Sequence, residues 1–75
     1  MSEFNMRYAI VIEDAGENFS AYVPDLPGCA ATGATIRETE NAIRDVMAFH
    51  IEGLHADKLP VPLPSSRVHY VEVAA

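Results

Sequence analysis

Thr35-Ile36-Arg37-Glu38 opens the one long element this chain can build. Thr followed three residues later by Glu is a capping box: the hydroxyl accepts from the Glu38 N–H and the carboxylate reaches back. From there the sequence runs to about Leu54 without a proline. Ile36, Ile43, Met47 and Leu54 recur at helical spacing, flanked by Ala42, Val46, Phe49 and Ile51. An apolar arc this wide belongs to a helix that lies flat on a sheet or faces a second surface as well. Gly53 and then Pro60-Val61-Pro62-Leu63-Pro64 mark the exit, where three alternate prolines impose an extended, stiff connector.

The segments around the helix read as strands. Arg7–Glu13 is β-branched and aromatic, Asp14-Ala15-Gly16-Glu17-Asn18 is a turn, and Phe19–Val23 alternates on the way back, which makes a β-hairpin. Pro24-Asp25-Leu26-Pro27-Gly28 stops the second strand, because each proline removes a ladder donor. Cys29–Thr32 is a short third strand ending at Gly33, and Val68-His69-Tyr70-Val71-Glu72-Val73 is the last. The expected architecture is α+β, a two-layer β-β-β-α-β sandwich. An antiparallel meander is covered on one face by the helix, and a right-handed crossover delivers a final strand to the same sheet. The other sheet face is then solvated or buried against a second copy. With no internal repeat and no dividing linker, residues 1–75 form a single domain.

A chain of 75 residues has room for a small core, of the order of 3–5 kcal/mol. Chains of this size usually carry a staple. Cys29 is the only cysteine, which excludes an internal disulfide and a cysteine-rich zinc site. Oligomerisation is the favoured remaining device. Five Lys and Arg against eleven Asp and Glu give a net charge of −6, with pI ≈ 4.7. Nucleic-acid modules are usually basic, so direct DNA or RNA binding is not expected. No apolar run reaches the ~20 residues of a membrane span. Met1-Ser2-Glu3-Phe4-Asn5 lacks the basic and apolar regions of a secretory signal. A lone cysteine without an export signal points to the cytoplasm.

The search for chemistry returns little. There is no Gly-x-Ser-x-Gly elbow, phosphate loop or His-Glu-x-x-His helix. Cys29 is either an activated thiol or a small buried hydrophobe, and no cation lies near it in sequence to lower its pKa. His50 falls within the apolar arc, either as a base or metal ligand or as a half-buried ring with one nitrogen bonded. His55, five residues on, does not stack with it as an i, i+4 pair does. No catalytic residue, metal or cofactor is expected. Glu38, Asp45 and Glu52 recur every seven residues as an acidic stripe, either an ordinary solvated face or a docking surface for a basic protein. The Pro24–Cys29 loop is either a rigid connection or a pre-organised contact exposing Asp25 and Leu26. His69 is solvent-facing or at a subunit contact.

Several blocks together carry a family likeness. Tyr8–Glu13, then Phe19–Val23 leading into Pro24-Asp25-Leu26-Pro27-Gly28-Cys29, then Gly33-Ala34-Thr35 with Glu38, and His50-Ile51-Glu52-Gly53-Leu54 resemble the HicB family of antitoxin-like proteins. The resemblance covers about residues 6–64, and the Pro-Asp-Leu-Pro-Gly-Cys block is its most specific part. It implies a β-β-β-α-β domain with a partial ribonuclease-H-like fold that self-associates into dimers or tetramers. It also implies the family role of neutralising HicA, a small basic RNA-cleaving toxin. Two departures stand out. Many antitoxin members continue into a DNA-binding domain, whereas this sequence ends at Ala75, so direct operator binding is not expected. Glu40 also sits beside the apolar arc, where family members more often carry an apolar residue.

The expected function is that of a non-enzymatic antitoxin-type protein with a HicA-like toxin as partner. The candidate partner contacts are Asp25, Leu26, Gly28, Cys29, Glu38, Asp45 and Glu52. Self-association would use His69, Tyr70, Val71 and Val73, or the open sheet face. The alternatives are a stand-alone oligomeric interaction module of the same fold without a toxin, and a small hydrolase or nuclease using His50 or Cys29.

Overall fold

In the computed structural model, which describes residues 6–75, β1 (Val11–Asp14) and β2 (Phe19–Tyr22) form an antiparallel hairpin. The Met1–Asn5 segment, read above for a targeting signal, lies outside the described residues. The hairpin turn is closed by its own polar groups. Gly16 N–H donates to Asp14 Oδ1 at 2.9 Å and Ala15 N–H donates to Asn18 O at 2.8 Å. Gly16 takes φ 99°, a conformation that costs an L side chain about 1–2 kcal/mol. Strand β3 (Ala30–Gly33) joins β2 antiparallel, giving the order β1-β2-β3.

Pairing sorts the side chains by face. Ile12, Ala21 and Ala31 lie in one cross-strand row, and Val11, Tyr22 and Ala30 in the next. The first row meets the helix, and Ala21 is buried while Tyr22 is exposed. Helix α1 (Ile36–Ala56) lies on β3 and β2. Its approach is close: a Cβ at Gly33 would sit 2.7 Å from both the Thr39 N and Oγ1. Thr39 is fully buried there, with its hydroxyl donating to Thr35 O at 2.7 Å. The core is Ala21, Val23, Leu26, Cys29 and Ile43, with Tyr8, Ile10, Ile12, Val46, Met47 and Ile51 packed round it.

Both helix ends are built from local signals. Glu38 N–H donates to Thr35 Oγ1 at 3.0 Å, while the Glu38 carboxylate accepts from Ala34 N–H at 3.1 Å. The helix runs two residues past the expected Leu54 and closes in a Schellman arrangement. Lys58 N–H donates to His55 O and Leu59 N–H to Leu54 O, with Lys58 in the left-handed region at φ 58°. The buried stripe is centred on Thr39 and Ile43. Ile36 and Phe49, expected on the apolar arc, therefore fall outside it and are exposed.

The expected fourth strand is the main correction. Val68–Val73 carries no strand, and among the described residues no backbone hydrogen bond ties residues 67–75 to the sheet. Strand residues need an edge to pair with, and the chain after the helix is carried past the ends of the strands instead. Tyr8 OH donates to Pro62 O at 2.6 Å, and Ser65 and Ser66 are fastened to Asp25. Beyond that fastening the last residues project away. The radius of gyration is 14.2 Å, against about 11 Å for a compact 75-residue domain.

Candidate functional site

The Pro24–Cys29 loop is a pair of tight turns that point a side chain inward. Leu26 N–H donates to Val23 O and Cys29 N–H donates to Leu26 O, both at 3.2 Å, with Gly28 at φ 89°. Leu26 is 0% exposed, so the expectation that it offers a side chain to a partner is corrected: it plugs the core between sheet and helix. Cys29 is buried as well, and burial pushes its thiol pKa up. That favours the protonated thiol, the opposite of an activated nucleophile.

Asp25 has an internal role. Its carboxylate accepts four hydrogen bonds, from Ser65 N–H at 2.9 Å, Ser65 Oγ at 3.1 Å, Ser66 N–H at 2.9 Å and Ser66 Oγ at 2.8 Å. The Ser66 and Ser65 backbone donors, then the Ser66 hydroxyl, hold its pKa down at about 2. The carboxylate thus secures the segment after the helix to the loop after β2. Ser65-Ser66 is hard to recognise from sequence. Its only signal is two adjacent hydroxyl residues behind Pro64, 40 positions from Asp25.

Beside this loop, Gly28 and Cys29 face Val46, Phe49, His50 and Gly53 of α1 across a groove of about 400 Å³. Cys29 and His50 both line the groove, but among the described residues no hydrogen bond joins them, and a thiol hydrolase needs its nucleophile and base in hydrogen-bond reach. The raised thiol pKa argues against that use. His55 lies outside this lining and is exposed. Among the described residues no group of three or more His, Cys, Asp and Glu is placed to hold a metal ion. Among them also, no helix is long and apolar enough to cross a membrane.

Along the solvent side of α1, Glu38, Asp45 and Glu52 are all exposed. Glu38 is partly occupied in capping Ala34 N–H, which leaves Asp45 and Glu52 as the less committed carboxylates. Phe49 is 79% exposed at the side of the groove, four residues after Asp45 and three before Glu52. On a helix those spacings make neighbours, so a large aromatic ring stands between two carboxylates. From the sequence Phe49 reads as an arc residue facing the sheet or a second surface. His69, Tyr70, Val71 and Val73 are all on the projecting end of the chain and exposed.

Residues 8–74 match the family described as HicB-like antitoxin of bacterial toxin-antitoxin system. An uncharacterized 14.9 kDa protein in the rep-hol intergenic region of Haemophilus phage HP1 is 33% identical over 66 residues. That alignment covers 88% of this chain and 50% of the phage protein, so the chain spans about half the length of that curated relative. A chain in the solved HicA3 and HicB3 toxin-antitoxin complex aligns with a TM-score of 0.68 at 33% identity, covering 80% of this chain and 70% of that one.

Proposed function

The chain belongs to the HicB-like antitoxin family of bacterial toxin–antitoxin systems, and from that premise we propose that it binds and neutralises a small basic, RNA-cleaving HicA-like toxin. The observation that carries this reading is the likeness, in fold and at 33% identity, to a chain solved within a toxin–antitoxin complex. Charge supports it. The protein carries −6 overall, and such a field speeds encounter with a cationic partner.

The contact centres on Phe49, Asp45 and Glu52, with Glu38 and the Gly28 turn at its margin. The exposed ring supplies an apolar anchor beside the groove, and the flanking carboxylates pair with cationic side chains that otherwise hold RNA phosphates. An aromatic anchor inside a charged rim is the usual anatomy of an energetically dominant contact. Asp25, Leu26 and Cys29 contribute indirectly by holding the Gly28 turn in place. Neutralisation is by occupancy, with no bond made or broken, and the chain is not an enzyme. It acts in the cytoplasm, as a homo-oligomer, and its acidic surface disfavours direct contact with nucleic acid.

Co-expression with the product of the adjacent reading frame tests this. A small basic protein should co-purify with the chain, and its growth arrest should be relieved. If no such protein is encoded nearby or none co-purifies, the toxin reading fails. The alternative, a stand-alone interaction module of the same fold, is then left.

A further inference from the structure

Two residues at the end of α1 cost the helix stability, and both line the groove of about 400 Å³ beside the Pro24–Cys29 loop. Gly53 stands in the last turn, where glycine is a poor helix former. Nothing in the fold asks for it. Its φ is not positive, and a Cβ there would meet nothing beyond the helix's own backbone within 4 Å. Asp57 is the C-cap, and a carboxylate at that end meets the negative pole of the helix. The capping bond is made by its N–H, which donates to Gly53 O at 3.1 Å, so the carboxylate takes no part in the cap. Where residues that cost a fold stability gather in one place, a binding site is the usual reason.

The two are placed for one ligand. Phe49, Gly53 and Asp57 are four residues apart, so they follow one face of the helix over about two turns, ~12 Å. Along that line the Phe49 ring comes first and Asp57 last, and Gly53 sets no side chain between them. Val46 and Leu54 add aliphatic carbon to the lining, and Gly28 faces them from the loop. A trough with an aromatic ring towards one end and a carboxylate towards the other matches a side chain with a methylene stem and a cationic head. The helix reinforces that choice, because its C-terminal carbonyls also attract positive charge. Lys58, the next residue, is not part of the lining. Arginine fits better than lysine, since a guanidinium is weakly hydrated and offers a carboxylate two parallel donors.

We propose that this groove receives one arginine side chain of a basic partner protein, with the guanidinium paired to Asp57 and the stem laid over Gly53 beside Phe49. The net charge of −6 draws such a partner in, and the groove selects the residue that docks. Asp45 and Glu52 are outside the lining and act at the rim. The inference deepens the toxin reading above. Only the identity of the partner rests on that reading, because the site is defined by residues of this chain.

The test uses the purified chain and hexa-arginine, with hexalysine as a control of equal charge. On titration the amide resonances of Gly28, Gly53 and Asp57 should shift together, with hexa-arginine bound at least about threefold more tightly than hexalysine. Gly53→Gln fills the groove without changing any charge, and Asp57→Asn removes the carboxylate. Each should weaken hexa-arginine binding at least about tenfold. Both should also raise the denaturation midpoint, because each removes a cost to the helix. Equal affinity for the two peptides, binding indifferent to Gly53→Gln, or shifts confined to Asp45 and Glu52 would overturn the arginine site. A lowered midpoint in both variants would overturn it as well, by showing that Gly53 and Asp57 serve the fold. The toxin reading is tested apart, by RNA cleavage with the basic product of the adjacent reading frame. Native suppression by both variants would remove the groove alone. Hexa-arginine bound as expected, with no suppression by the native chain, would uphold the groove and remove the toxin.

Discussion

Asp25 acts as a fastener because its carboxylate faces two backbone and two hydroxyl donors at once, and only the ionised form accepts from all of them. Its pKa is held below the ordinary value of 3.8, at about 2. The charged form is thus favoured while the segment is attached. Attachment is complete above about pH 4 and is lost as the pH falls towards 2. The Ser65 and Ser66 amide resonances should follow that titration. Shifts that stay flat between pH 4 and pH 2 would contradict the assignment. Gly33 carries a different kind of constraint, since a methyl group there meets Thr39 backbone at 2.7 Å. Gly33→Ala should destabilise the fold by about 1–3 kcal/mol, measured by denaturant titration. No loss of stability would mean that the helix can lift from β3 at no cost.

At the scale of elements, the helix start was legible because a cap is a local device: Thr35 and Glu38 are three residues apart and need nothing else. The helix end was less so. Gly53 drew attention as a breaker, yet the Schellman turn places Lys58 in the left-handed position where glycine is usual. Lys58→Gly should therefore stabilise the protein by roughly 1 kcal/mol, read as a rise in the denaturation midpoint. A lowered midpoint would show that the lysine side chain contributes more than its backbone strain costs. The Pro-Asp-Leu-Pro-Gly-Cys loop stood out in sequence, but its orientation did not. Proline and glycine announce a turn without saying which side chain turns inward. Leu26 could be placed only once sheet and helix were both present. The expected final strand is absent for a related reason. Val68–Val73 has the composition of a strand, while pairing depends on an edge that composition does not locate.

At the scale of the whole molecule, a small core is accompanied by several exposed apolar side chains, among them the terminal segment and Phe49. The terminal segment Val68–Val73 is exposed and rich in apolar side chains. Phe49 is a single ring framed by Asp45 and Glu52, beside a groove of about 400 Å³. The second is the feature on which the proposed contact with a basic toxin rests. The overall acidity is plain from sequence, and it is compatible with a basic partner without identifying one. The exposed ring is not plain there, because helical periodicity assigns Phe49 to the apolar arc and only the packing of Thr39 and Ile43 turns it outward. Surface charge reversals away from packing contacts usually change stability by less than about 0.5 kcal/mol. Function at this face can therefore be separated from folding. The most direct measurement of the central claim is RNA cleavage by the purified basic product of the adjacent reading frame, titrated with this chain. Stoichiometric suppression is expected from the native chain, with at least tenfold weaker suppression from a Phe49→Ala, Asp45→Lys variant that remains folded. Cleavage unaffected by the native chain, at a concentration well above that of the nuclease, would contradict the account.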